Sequence, residues 1–312
     1  MQLGLTHLID PRLWQFVAES YTFYENRPAG RGPNGPAELG AVRAGTPDPA
    51  PVDPPAVEEV VTVDGRSVAL RIHTPVDRPA NGVFLEIHGG GFYLGSAAGS
   101  DLRNRRLTDE LGVAVVSVDY RLAPEHPWPA APDDCETAAR WLVEHAAHRF
   151  HTAKLAIGGF SAGATLATTT LLRLRDRGIH EFECAVLQFG TYDLSAQTPA
   201  GRLIADEYFL EAYAGSAPDR TDPDISPIYA ELRGLPPILM VVGDADIVLH
   251  DNLAMAARLS ASGTDVDLRV YPGSPHGFTG HPTPMARAAL ADINTWLGGH
   301  LNSCTTSIGP TR

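Results

Sequence analysis

The chain has 312 residues, 44% of them hydrophobic, with 37 acidic against 24 basic side chains and a formal charge of −13 at pH 7. That length suits one large domain or two small ones, the apolar share suffices for a sizeable core, and the acidic balance argues against nucleic acid or an anionic membrane as partner. Cys135, Cys184 and Cys304 match neither a disulfide framework nor a zinc pattern, no stretch reaches the roughly 18 apolar residues of a membrane helix, and MQLGLTHLIDPR lacks the basic-then-apolar order of a signal peptide, so a soluble, reduced, cytoplasmic protein is expected.

In chain order, Asp10-Pro11 reads as a helix start with proline at the first helical position, ahead of the amphipathic run RLWQFVAESYTFYEN. Residues 27–55 are rich in Pro, Gly and Ala without periodicity, which predicts an extended or loosely packed lead-in. VEEVVTV and SVALRIHT, on either side of Asp64-Gly65, predict a β-hairpin. Strands and helices then alternate: strand GVFLEI (82–87), a helix over 101–110, strand VAVVSV (113–118), and helix DDCETAARWLVEHA (133–146), whose acidic start suits its positive end. Strand KLAIG leads into helix ATLATTTLLRLR, and CAVLQF (184–189), PILMVV (237–242) and VDLRVY (266–271) are three further strands. The last two bracket helix LAMAARLSAS, and a final helix runs through ARAALADINTWL.

Continuous apolar strands alternating with helices predict an α/β fold, a mostly parallel eight-stranded sheet with helices on both faces. Between 193 and 235 the alternation breaks into helical fragments such as RLIADEYFLEAYA, expected as a cap insertion over the carboxyl edge of the sheet. The expected organisation is an N-terminal helical cap and lead-in over 1–50, a main domain over 51–300 carrying the 193–235 insertion, and a disordered tail over 301–312.

The stretch AIGGFSAGATLA concentrates the chemistry. A strand runs into a helix through Gly159-Phe160-Ser161-Ala162-Gly163, a G-x-S-x-G turn so tight that the flanking positions must lack bulk. Serine is a poor nucleophile at neutral pH and needs a base within hydrogen-bond reach, itself oriented by a carboxylate. In a parallel sheet the reactive groups gather beyond the carboxyl ends of the strands. Asp244 and Asp246 follow PILMVV there, and His276 follows VDLRVY. The order Ser161, Asp246, His276 suits a nucleophile, its orienting acid and its base. A developing oxyanion needs backbone N–H donors, which Ala162 and the run His88-Gly89-Gly90-Gly91 can supply.

IHGGGFYLGS, VDYRLAPEHPWPAAPDD, GGFSAGA, GDADIVLHD and YPGSPHGF, in that order, resemble the hormone-sensitive-lipase branch of the α/β-hydrolases over about 57–297. The resemblance implies an α/β-hydrolase fold and a cofactor-free, metal-free carboxylic-ester hydrolase. Ser161 would be its nucleophile, His276 its base and Asp246 its acid. Gly89, Gly90 and Ala162 would form the oxyanion hole, and the N-terminal helices and the 193–235 insertion the cap. The sequence departs from that pattern at Phe160, often Asp or Thr in the branch, at Gly163-Ala164 where a glycine pair is usual, and at Asp246-Ile247 where a proline follows the acid. Phe92, Tyr93 and Phe160 are expected to narrow the substrate pocket toward short acyl esters, with Phe209 and Tyr213 lining the cap. An acyltransferase or amidase with the same triad, and a non-catalytic binding module on the same fold, are the rival readings. The expected partner is a small-molecule ester, with a homodimer open.

Other candidates read as structural. His88 is expected to brace the glycine loop, and Arg121 and Glu125 to hold the loop after their strand. Asp244 competes with Asp246 for the acid, and Asp251 competes more weakly. His145, His148 and His151 are expected on the surface, because their spacing turns them around a helix and no H-E-x-x-H is present. Trp14 and Phe16 either line the cap or pack as core.

Overall fold

Asp64 at φ 50° and Gly65 at φ 78° take the left-handed pair of conformations that a two-residue hairpin needs. The turn folds β1 (Val57–Val63) directly back on β2 (Arg66–His73), with Val63 opposite Arg66. The computed structural model describes residues 4–27 and 31–302. From the hairpin onward the sheet is built by β3 (Val83–Ile87), β4 (Ala114–Asp119), β5 (Leu155–Phe160), β6 (Phe182–Gln188), β7 (Ile238–Gly243) and β8 (Val266–Tyr271). The strand order is β1-β2-β4-β3-β5-β6-β7-β8, antiparallel as far as the β2–β4 pair and parallel thereafter. Every residue of β3 and β7 is buried, which is why their sequences are runs and not alternations.

Helices cover both faces. α3 (Asp101–Leu111) touches α8 (Pro284–Asn302), while α4 (Ala130–Arg149) packs on α5 (Ala162–Asp176), and α7 (Leu249–Ala261) lies against β7 and β8. This is the expected α/β fold with its eight-stranded, mostly parallel sheet. Among the described residues no helix is long and apolar enough to cross a membrane.

Three local expectations need correction. The first turns after Asp10 are a 3₁₀ segment (Pro11–Phe16), and α1 (Val17–Glu25) is the α-helical part. The lead-in is not simply extended: α2 (Pro36–Gly45) forms there, with proline in its first turn and Leu39 only 2% exposed. A ten-residue helix with one internal glycine and another as its last residue has weak intrinsic propensity, so tertiary contacts decide it and no periodicity announces it. Leu301 and Asn302 belong to α8, with Leu301 buried against Gly82. The rest of the expected tail, 303–312 with Cys304, lies outside the described residues. Between β6 and β7 the chain forms a 3₁₀ turn (Gly201–Ile204) and α6 (Tyr208–Ala214). Arg173 of α5 ties this stretch down by pairing with Asp224 as well as with Asp133 and Glu136 of α4.

Candidate active site

β5 ends at Phe160 and α5 begins at Ala162, which leaves Ser161 alone in the turn at φ 54°, ψ −124°. A non-glycine residue held there costs on the order of 1–3 kcal/mol and persists only if its surroundings impose it. Here they do: Ser161 N donates to Gln188 O at 2.9 Å, and Ser161 O accepts from Ala164 N at 2.9 Å. The first turn of α5 also crosses β3 so closely that a Cβ on Gly163 would overlap the carbonyl oxygen of Ile87. The turn therefore presents Ser161 Oγ outward at the carboxyl end of the sheet.

Ser161 Oγ lies 2.9 Å from His276 Nε2, and His276 Nδ1 lies 3.0 and 3.1 Å from the two carboxylate oxygens of Asp246. The Asp246 side chain is fully buried, whereas that of His276 is 38% exposed. A carboxylate facing Nδ1 keeps the ring proton there, so Nε2 is free to accept the serine proton. Asp246 is held by Val248 N, which donates to its Oδ1 at 3.0 Å. Asp244 does something else, accepting from Gly273 N at 2.7 Å and so supporting the backbone of the histidine loop. The same loop is braced from α1: Ser20 Oγ donates to Gly273 O at 2.7 Å, and Tyr24 Oη meets His281 Nδ1 at 2.9 Å.

The glycine loop after β3 is tightly turned. Gly90 sits at φ 121° and Gly91 at φ 58°, and a Cβ on Gly90 would overlap the carbonyl oxygen of Leu94. His88 Nδ1 donates to Gly89 O at 2.8 Å, its ring stacks on Tyr120 at 4.1 Å, and Tyr120 Oη donates to His88 O at 3.0 Å. Burial lowers the His88 pKa, so it stays neutral and serves as a brace. The amides of Gly89, Gly90 and Ala162 donate to no other described residue, which leaves them for a ligand.

The pocket residues divide. Phe160 is half-buried, its ring against Gly89 and beneath the Arg103 guanidinium, 4.2 Å from the ring centroid. Arg103 is held by Glu86, a buried carboxylate of β3 that also accepts from Ser100 and Ser117. Phe160 meets Phe189 at 6.5 Å, and Phe189 meets the His276 ring at 5.1 Å. Phe209 is half-buried and packs over Gly91. Phe92, Tyr93 and Tyr213 depart from expectation, being 0%, 2% and 2% exposed. The left-handed backbone at Phe92 turns its ring inward to stack on Tyr213 at 3.9 Å, so both brace the loop from behind. Burial likewise pushes the Tyr93 hydroxyl up to about 12.

Trp14 is 48% exposed, and His145, His148 and His151 lie on the surface, with no metal-holding group among the described residues. Arg121 holds Asp134 through both carboxylate oxygens. The contributions of Ser20, Tyr24 and Arg103 carry no local signature in the sequence, because each depends on an element more than fifty residues away.

Asp251, in the first turn of α7, accepts from the amides of Tyr192 and Asp193 after β6, while its Oδ1 is buried without a partner among the described residues. Burial raises its pKa to about 6, against the lowering by those two amides. Between pH 4 and 6 the folded chain keeps a proton on Asp251 that the unfolded chain has lost, so this group's contribution to stability declines as pH rises and levels off above about 6. Asp251→Asn is expected to remove that slope. Its stability relative to wild type should rise by up to about 3 kcal/mol from pH 4 to 7 in urea titrations, and a flat difference would reject a proton held on Asp251.

Residues 84–280 match the family described as alpha/beta hydrolase fold. An ethyl acetate hydrolase of Pseudomonas putida is 34% identical over 234 residues, covering 70% of this chain and 74% of that one. The hyperthermophilic esterase of the archaeon Pyrobaculum calidifontis superimposes with a TM-score of 0.78 at 27% identity, over 95% of this chain and 99% of that one. A hormone-sensitive lipase from a metagenome library superimposes with a TM-score of 0.70 at 28% identity, over 94% and 99% of the two chains.

Proposed function

Because the chain belongs to the α/β-hydrolase fold family, in its hormone-sensitive-lipase-like branch, we propose that it is a serine carboxylesterase acting through an acyl-enzyme on short-chain esters. The observation that carries this reading is the unbroken line Ser161 Oγ–His276 Nε2, His276 Nδ1–Asp246, with bonds of 2.9 and 3.0 Å. Ser161 attacks the ester carbonyl as His276 takes its proton, and the tetrahedral oxyanion is met by the amides of Gly89, Gly90 and Ala162. His276 then gives the proton to the leaving alcohol, and afterwards draws one from water to release the acid. A fluorophosphonate probe that labels wild type at Ser161, together with turnover of a p-nitrophenyl ester panel, tests the reading. Labelling elsewhere, or no turnover of any ester, would reject it.

Support for a short acyl chain comes from Phe160, which precedes the nucleophile and whose ring lies against Gly89 with Arg103 stacked upon it, and from a relative named for ethyl acetate. Each methylene that fits adds about 0.8 kcal/mol until the wall is met. Activity is therefore expected to peak at about two to six acyl carbons and to be slight on long-chain triglycerides. In Phe160→Ala the optimum should move to longer chains in the p-nitrophenyl series. An unmoved optimum would assign the wall to other residues.

A further inference from the structure

Arg43 of helix α2 reaches the glycine loop. Arg43 Nε donates to Tyr93 O at 3.0 Å, Nη2 donates to Ala123 O at 2.6 Å, and Nη1 pairs with Glu125 at 2.6 Å. The two carbonyls belong to the two segments that meet at the glycine loop. Tyr93 N and Leu94 N close its turn on Gly90 O at 3.2 and 2.8 Å, and Ala123 N donates to Phe92 O at 3.0 Å. One guanidinium therefore ties the far end of the glycine turn to the segment that already holds its middle.

We infer that Arg43 is a positioning residue for the oxyanion loop, fixing the turn that aims the Gly89 and Gly90 amides at the developing oxyanion. The need is physical. Three consecutive glycines carry more backbone freedom than any other tripeptide, and the loop leaves its strand at Ile87 with positive φ at Gly90, Gly91 and Phe92. Of these contacts, His88 acts on the carbonyl of Gly89, and Ala123 on that of Phe92. Tyr93 O, where the turn closes, is held by Arg43. A planar fork can bridge two carbonyls and a carboxylate in fixed geometry, which a lysine ammonium cannot reproduce. A displacement of about 1 Å in donors aimed at a transition state can cost about 100-fold in rate. The inference rests on the esterase reading.

The test uses the full chain with Arg43→Ala, Arg43→Lys and Glu125→Gln, assayed on p-nitrophenyl butyrate well below each melting temperature. Arg43→Ala is expected to lower kcat by about 10- to 100-fold with KM within about threefold, and to weaken a trifluoromethyl ketone transition-state mimic by the same factor as kcat/KM. The acid limb of the pH profile should stay where it is in wild type, because His276 and Asp246 are untouched. Arg43→Lys should recover part of the loss, and Glu125→Gln, which leaves both carbonyl bonds in place, should stay within about twofold of wild type. A folded Arg43→Ala protein with wild-type kcat would overturn the inference. So would a loss carried by KM, or one that matches the fraction unfolded in a melting curve. A wild type that turns over no ester would instead reject the hydrolase reading, so the two failures are distinguishable.

Discussion

Ser161→Ala is expected to abolish ester turnover and fluorophosphonate labelling while the melting temperature holds or rises. Loss of the nucleophile in a serine triad costs on the order of a millionfold in kcat, leaving only what the oxyanion donors and binding supply. The fold should survive because Ser161 contributes its strained backbone, at φ 54°, and an outward hydroxyl, while the packing around it comes from Gly163, Ala164 and the strands. Alanine relieves none of that backbone strain, but it leaves the turn's hydrogen bonds to Gln188 and Ala164 intact. Undiminished labelling of the variant would reject Ser161 as nucleophile, and an unfolded variant would assign the serine a structural duty.

Asp246→Asn is expected to lower kcat by about four orders of magnitude at neutral pH, with little change in KM. Val248 N already donates to Asp246 Oδ1 at 3.0 Å, so an asparagine is favoured to keep its oxygen there and to place its NH₂ at the Oδ2 position, 3.1 Å from His276 Nδ1. That arrangement places the imidazole proton on Nε2, where it opposes the serine hydroxyl instead of accepting from it. Asp244→Asn is the companion measurement. Its acceptor oxygen can be kept for Gly273 N, so a loss of about tenfold or less is expected. A reversal of the two magnitudes would move the acid to Asp244.

The strand and helix order was legible because each buried strand is an uninterrupted apolar run and each long helix repeats its leucines and alanines at helical spacing. β3, β5, β7 and β8 lie where GVFLEI, KLAIG, PILMVV and VDLRVY predict them. α2 was not legible. Its ten residues hold Gly40 and Gly45, and it is stabilised by burying Leu39 and by the reach of Arg43. The pocket aromatics were legible only as residue types. Whether Phe92 faces the ligand or the core depends on a φ of 63°, and the glycines before it permit either.

By itself, then, the sequence determined that a serine stands in a glycine-framed turn between strand and helix, with carboxylates and a histidine after later strands. Those facts follow from local sterics and periodicity, which a short window of residues contains in full. The tertiary structure alone decided that Asp246 and not Asp244 or Asp251 reaches His276, because three carboxylates of one loop and helix differ only in where their side chains end. It alone brought Ser20 to the histidine loop across 253 residues, Arg43 to Tyr93 across 50, and Arg103 onto Phe160. Such contacts are set by how a twisted sheet and its covering helices pack in three dimensions, and no pattern within a single segment carries that information.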